Sequence, residues 1–169
     1  VESQIPKISH EKNEIGFYRR KFTLPESFDG RRIILHFGAA KSALYVYVNG
    51  KYVGYSQGSM TPAEFDITDM ICEGENTLAA KVMRFSDATY LENQDMWQFS
   101  GIYRDVYLVA EPEITVEDIY ARTTLDDGYT DGILDLTLSF STGKEVTCKV
   151  SLDKKEIFKG KAGGELKIS

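Results

Sequence analysis

The side chains best suited to chemistry crowd into one run, Ser86-Asp87-Ala88-Thr89-Tyr90-Leu91-Glu92-Asn93-Gln94-Asp95-Met96-Trp97-Gln98-Phe99-Ser100-Gly101. Asp87, Glu92 and Asp95 stand there beside Tyr90 and the single tryptophan, Trp97. Carboxylates accept paired hydrogen bonds from sugar hydroxyls and coordinate hard cations, while aromatic rings offer apolar faces to the C–H side of a sugar. The composition suits a carbohydrate or a metal ion. A second reading stays open, in which Trp97 plugs the core and the acids solubilise a long connection. Glu92 and Asp95 also raise the question of a glycosidase, which needs two carboxyls roughly 5 to 10 Å apart across the scissile bond. Sequence spacing alone leaves that separation undetermined.

No nucleophile and base set accompanies these acids. The two histidines are His10, in a polar N-terminal segment and expected to be solvated, and His36, inside an apolar strand. His36 reads as a hydrogen-bonded core or edge residue rather than a base. Asn13, just ahead of the first strand, reads on its own as a turn residue. Arg19-Arg20-Lys21 lacks a glycine-rich loop to cradle an anion, so its charges are expected in solvent or in cross-strand pairs. Asp126-Asp127-Gly128 is not continued by a calcium-loop ligand pattern and reads as a hairpin turn. Cys72 and Cys148 have no metal-ligand spacing and are expected to be reduced, ordinary residues.

Composition narrows the partners. Lys plus Arg number 20 against 26 Asp plus Glu, a net charge of -6, so the long-range field repels nucleic-acid phosphates and anionic lipid. No apolar run reaches the roughly 18 residues of a membrane span, and the first 30 residues lack the apolar core of an export signal.

The elements that must hold these residues are strands. Phe17–Leu24, stopped by Pro25, and Ile33–Phe37 read as β, as do Ala43–Val48 and Tyr52–Tyr55. The latter two flank Asn49-Gly50, the preferred pair for a type I′ turn because both central residues take positive φ. Further strands are expected at Glu64–Ile67, Thr77–Phe85, Gly101–Val109, Thr115–Thr123, Gly132–Phe140, Val146–Leu152 and Ile157–Lys159. Thr68–Ile71 reads as one short helical turn capped by Thr68 or Asp69. Many short strands between turns argue a sandwich or jelly roll. Sixteen of the twenty aromatics precede Pro112, and that proline marks the expected boundary between domains 1–111 and 112–169.

Several ordered motifs carry a resemblance. Val48-Asn49-Gly50-Lys51-Tyr52-Val53-Gly54-Tyr55-Ser56-Gln57, Ala63-Glu64-Phe65-Asp66-Ile67-Thr68, Gly74-Glu75-Asn76-Thr77-Leu78, and Ser86 to Gly101 followed by Ile102-Tyr103-Arg104-Asp105-Val106 resemble the sugar-binding jelly roll of glycoside hydrolase family 2. The form Tyr90-Leu91-Glu92-Asn93-Gln94-Asp95-Met96-Trp97 is similar to that of the large bacterial β-galactosidases. The match spans about residues 8 to 123, and the remainder resembles the start of an immunoglobulin-like domain. The resemblance implies an all-β chain: a jelly-roll, galactose-binding-like β-sandwich, possibly lacking its first strands, then a partial immunoglobulin-like β-sandwich.

The same resemblance implies a retaining hydrolase of terminal β-D-galactose whose catalytic glutamates lie in a downstream (β/α)8 barrel, so no catalytic residue is expected in this chain. Within Lys12-Asn13-Glu14-Ile15-Gly16-Phe17-Tyr18, Asn13 matches a substrate-binding asparagine. Asp95, in Gln94-Asp95-Met96-Trp97, matches an aspartate that touches galactose and a sodium ion. The implied cofactors are sodium at that shared site and magnesium in the barrel, with none held by this chain alone. The implied partners are β-galactosides, the barrel and, for the whole protein, further copies of itself, with no nucleic acid and no membrane. An autonomous carbohydrate-binding module and a purely structural sandwich are the alternatives.

Overall fold

The computed structural model describes residues 8, 11–92, 95, 97 and 99–168. His10 and the residues Asn93, Gln94, Met96 and Gln98 lie outside that set.

Among the described residues, fourteen strands account for most positions: β1 (Ile15–Phe22), β2 (Arg32–Phe37), β3 (Ala40–Lys41), β4 (Ala43–Val48), β5 (Lys51–Ser56), β6 (Ala63–Asp66), β7 (Asn76–Met83), β8 (Gly101–Ile102), β9 (Val106–Glu111), β10 (Val116–Leu125), β11 (Gly132–Phe140), β12 (Glu145–Leu152), β13 (Lys155–Gly163) and β14 (Glu165–Ile168). One short helix, α1 (Ala88–Leu91), interrupts them. The fold is thus nearly all β, with sandwich-like sheets. The chain separates into two compact units, Val1–Glu111 and Pro112–Ser169.

The first unit layers the sheet β1-β7-β4-β5 over the sheet β6-β2-β9, with β3 and β8 pairing separately. Alternation in β4, Ala43-Leu44-Tyr45-Val46-Tyr47-Val48, sends Leu44, Val46 and Val48 inward to full burial. They meet Leu35 and Phe37 of β2 and the buried Ile67. Each such aliphatic or aromatic side chain contributes about 1.5 to 3 kcal/mol relative to exposure. The turn between β4 and β5 has φ 51° at Asn49 and 78° at Gly50, the paired positive values a type I′ turn requires.

Three local expectations are corrected. The single strand expected over Gly101–Val109 breaks at Tyr103–Asp105: β8 pairs with β3 while β9 pairs with β2. The chain changes sheets there, and Gly38 donates its N–H to the Asp105 carbonyl across the break (2.9 Å). The turn at Thr68–Met70 is not capped by Thr68 or Asp69. Asp66 does that work, accepting from the Thr68 backbone N–H (3.0 Å) and hydroxyl (2.6 Å), while the same hydroxyl oxygen accepts from Ile33 N (2.9 Å). The first strand runs Ile15–Phe22 rather than to Leu24, because its pairing with β7 begins at Ile15↔Met83 and ends at Phe22↔Asn76.

In the second unit, β10-β11-β14 and β12-β13 join through the single pair Gly163↔Glu165 around Gly164. Leu136, Leu138, Phe140 and Leu166 from one part share a core with Ala162 and Phe158 from the other. Asp126 closes the β10–β11 hairpin by accepting from the backbone of Thr130 (2.7 Å) and Asp131 (3.1 Å), as the turn reading requires.

Candidate functional site

The connection between β7 and β8 carries Asp87, Glu92 and Asp95, all outside any strand. Its root is fixed by Asn13. The Asn13 amide donates to the Phe85 carbonyl (2.8 Å) and accepts from Phe85 N–H (3.0 Å). Arg84 N donates to the Glu14 carbonyl (2.9 Å) and the Arg84 guanidinium pairs with the Glu14 carboxylate. These contacts extend the β1–β7 ladder by two positions, the second made by a side chain imitating a peptide group. Asn13 is therefore more than a turn residue. One amide N–H and one oxygen lone pair are left over from its pairing with Phe85.

Beyond the root, Asp87 accepts from Ala88 N (3.2 Å), starting α1, and also accepts from the Gln57 side-chain amide. The hydroxyl of Tyr55 is raised above its ordinary pKa, first by burial and then by the charges of Tyr45, Asp87 and Tyr52. Glu92, at the end of α1, turns back toward the sandwich and accepts from Ser59 N through Oε1 (3.1 Å). Its Oε2 and the Ser59 hydroxyl are both buried without a hydrogen-bond partner among the described residues. Tyr103 ties the return of the connection to the same loop by donating to the Ser59 carbonyl.

Asp95 lies between these anchors and is exposed. Glu92 and Asp95 consequently have different surroundings, one pinned to Ser59 and half-buried, the other in solvent. Trp97 is 81 % exposed, which removes the core-plug reading. It stacks on Phe99 (centroids 6.4 Å apart), and Phe99 stacks on Tyr103 (5.7 Å). His36 is satisfied within the fold, its Nδ1 2.8 Å from Glu64 Oε1 and its ring stacked on Tyr107 at 4.4 Å. The basic run behaves as a strand face, with Lys21 paired to Glu75 at 2.7 Å. Cys72 and Cys148 are free thiols. Among the described residues no group of three or more His, Cys, Asp or Glu is arranged to hold a metal, and no helix is long and apolar enough to cross a membrane.

Sequence reasoning missed the clamp of Asn13 on Phe85 and the anchor of Glu92 on Ser59, because both join residues far apart in the chain. The only sequence signal for the first was the position of Asn13 one residue before Glu14 at the head of a strand.

What the connection and its scaffold are like is answered by comparison. Residues 2–112 match the family described as glycosyl hydrolases family 2, sugar binding domain. A β-galactosidase of Priestia megaterium is 47% identical over 125 residues, 74% of this chain and 12% of that protein. A β-galactosidase of Clostridium acetobutylicum is 42% identical over 151 residues, 89% of this chain and 17% of that protein. A crystal structure of Bacteroides uniformis β-glucuronidase superposes with TM-score 0.71 at 27% identity, covering 92% of this chain and 21% of that one. The chain thus spans between 12% and 17% of the length of these two β-galactosidases. With residues 2–112 matched to its sugar binding domain, the chain belongs to glycosyl hydrolases family 2.

Proposed function

We propose that this chain is a non-catalytic part of a family 2 β-galactosidase and that it lends two side chains to a galactose pocket completed by a barrel domain of the same protein. Asp95 contributes a carboxylate to galactose hydroxyls and to a sodium ion, and Asn13 contributes its remaining amide N–H and oxygen lone pair. The observation that carries this reading is the sharing of one root: Asn13 pairs with Phe85, and the connection bearing the exposed Asp95 starts at the next residue.

The donor chemistry fits a shared ion. Asp95 is a hard oxygen ligand, but a single carboxylate is an incomplete shell, so the other ligands would come from the barrel, where magnesium would also sit. Sodium there would supply a fixed positive charge opposite the sugar hydroxyls. Asp95 orients those hydroxyls by accepting from them. Its place on a rigidly rooted connection keeps the entropic cost of that orientation low. Bond cleavage belongs to the barrel glutamates.

The test uses the full-length protein. Asp95→Ala should lower kcat/KM for a β-galactoside by roughly tenfold to a hundredfold, the worth of one or two hydrogen bonds to a charged group, and should abolish the response of the rate to sodium. Unchanged kinetics with an unchanged sodium response would refute the assignment.

A further inference from the structure

One buried residue ties both legs of the β7–β8 connection together. Ser59, in the connection between β5 and β6, is 0% exposed. Its N–H donates to Glu92 Oε1 (3.1 Å), on the outgoing leg just before Asp95. Its carbonyl accepts from the Tyr103 hydroxyl, on the return leg. The return leg has further support, because Arg104 donates to Met60 O (3.2 Å) and β8 pairs with β3. The outgoing leg has less: among the described residues, Ser59 N–H is the one donor to the Glu92 carboxylate.

Two more atoms meet at this joint. Glu92 Oε2 and Ser59 Oγ are both buried without a partner among the described residues. A buried acceptor and a buried donor each cost stability when left unpaired. Here one is a carboxylate oxygen and the other a hydroxyl, and their residues are already joined through Ser59 N–H and Oε1. Rotation about a single side-chain dihedral moves the Ser59 hydroxyl between staggered positions and leaves both of its backbone bonds intact.

We propose that Ser59 is a positioning residue for the galactose pocket, its N–H and hydroxyl gripping both carboxylate oxygens of Glu92 while its carbonyl holds Tyr103. The inference rests on the pocket reading given above, in which Asp95 orients sugar hydroxyls. Tying down both ends of a flexible span limits the space its middle can search, and hydrogen bonds to a sugar demand placement within a fraction of an ångström. Ser59 touches no substrate and acts only through where Asp95 stands. Loosening the joint therefore weakens sugar binding more than it slows bond cleavage, whose groups lie in another domain.

The test uses the full-length protein and two readouts: steady-state kinetics with a β-galactoside, and calorimetric binding of isopropyl thiogalactoside, whose thioglycosidic bond resists hydrolysis. Ser59→Ala removes only the hydroxyl and should raise KM and the thiogalactoside Kd together by roughly threefold to tenfold, with kcat changed by less than about twofold. Glu92→Ala releases the outgoing leg outright and should raise both constants further. Glu92→Gln keeps an acceptor for Ser59 N–H and should return most of the affinity. Wild-type affinity in Ser59→Ala and Glu92→Ala overturns the inference, as does a fall in kcat with unchanged Kd, or a loss in Glu92→Ala that Glu92→Gln fails to recover. Should Ser59→Ala not fold, the two Glu92 variants decide. Asp95→Ala separates the two claims. Wild-type affinity there refutes the pocket reading and this inference with it, whereas affinity lost there and kept in Ser59→Ala and Glu92→Ala refutes this inference alone.

Discussion

Asn13 and Phe85 exchange two hydrogen bonds, 2.8 and 3.0 Å, across 72 residues of chain. A side-chain amide thus does what a strand residue would do and holds the start of the β7–β8 connection against the residue preceding Glu14. Each bond of this kind contributes about 0.5 to 1.5 kcal/mol, and a buried group left without its partner costs about 1 to 3 kcal/mol. Asn13→Ala should therefore lower the stability of the chain by roughly 1 to 3 kcal/mol, read as a lower denaturant midpoint at constant slope. Asn13→Asp should also destabilise, because it keeps the acceptor for Phe85 N–H but turns an acceptor toward the Phe85 carbonyl.

Asn76 organises the other end of β7. Fully buried, it accepts from Cys72 N (2.9 Å) and the Asn49 amide (2.7 Å) and donates to the carbonyls of Cys72 (2.9 Å) and Gly74 (3.2 Å). Asn49 in turn donates to Met70 O and accepts from Thr77 N, so the turn it forms is bolted to the neighbouring segment. Asn76→Ala should cost about 2 to 4 kcal/mol through the loss of a buried network, a larger loss than Asn13→Ala in the same denaturation series.

Glu92 anchors the connection where Asp95 leaves it. Glu92→Ala frees Ser59 N–H and should speed proteolytic cleavage within residues 92–100 several-fold, with little change in the global midpoint, since this is local opening. Glu92→Gln keeps an acceptor for Ser59 and should restore resistance. Equal cleavage rates in all three proteins would dismiss the anchor.

Acid should weaken the fold through Asp66. Burial pushes its carboxyl up, but hydrogen bonds from the Thr68 hydroxyl and backbone and from Arg32, with the charge of Arg32, outweigh that and leave the pKa lowered. A lowered folded pKa means the unfolded state binds the proton more readily. The stabilisation is complete above the unfolded value near about pH 4 and is lost as pH falls through the folded value. Asp126, lowered by the backbone N–H groups of Thr130 and Asp131, has the same sign. Asp66 is partly exposed, so solvent screening holds its share to a fraction of a kcal/mol. Asp66→Asn should shrink the difference in denaturation midpoint between pH 6 and pH 3.

The isolated chain should not bind galactose or lactose at millimolar concentration by calorimetric titration. Two polar side chains do not offset the immobilisation of a sugar that water solvates well. Saturable binding would favour an autonomous carbohydrate-binding module, for which the exposed stack of Trp97, Phe99 and Tyr103 would be the platform.

Most of the strands, though not the short β3 and β14, the Asn49-Gly50 turn and the Asp126 hairpin were legible in the sequence because each is set by neighbours within a few residues: alternation chooses the buried face, and a turn needs residues that accept its φ. The change of sheet between Ile102 and Val106 was not, since an unbroken β-rich run says nothing about which partner each half pairs with. Asp95 was identified as a candidate from its motif, but its exposure, and the opposite treatment of Glu92 three residues earlier, were decided by Ser59, which arrives from another loop. Tertiary structure alone made Asn13 a clamp on Phe85 and turned Trp97 outward. Those outcomes depend on contacts between residues distant in the chain, and local periodicity carries no record of them.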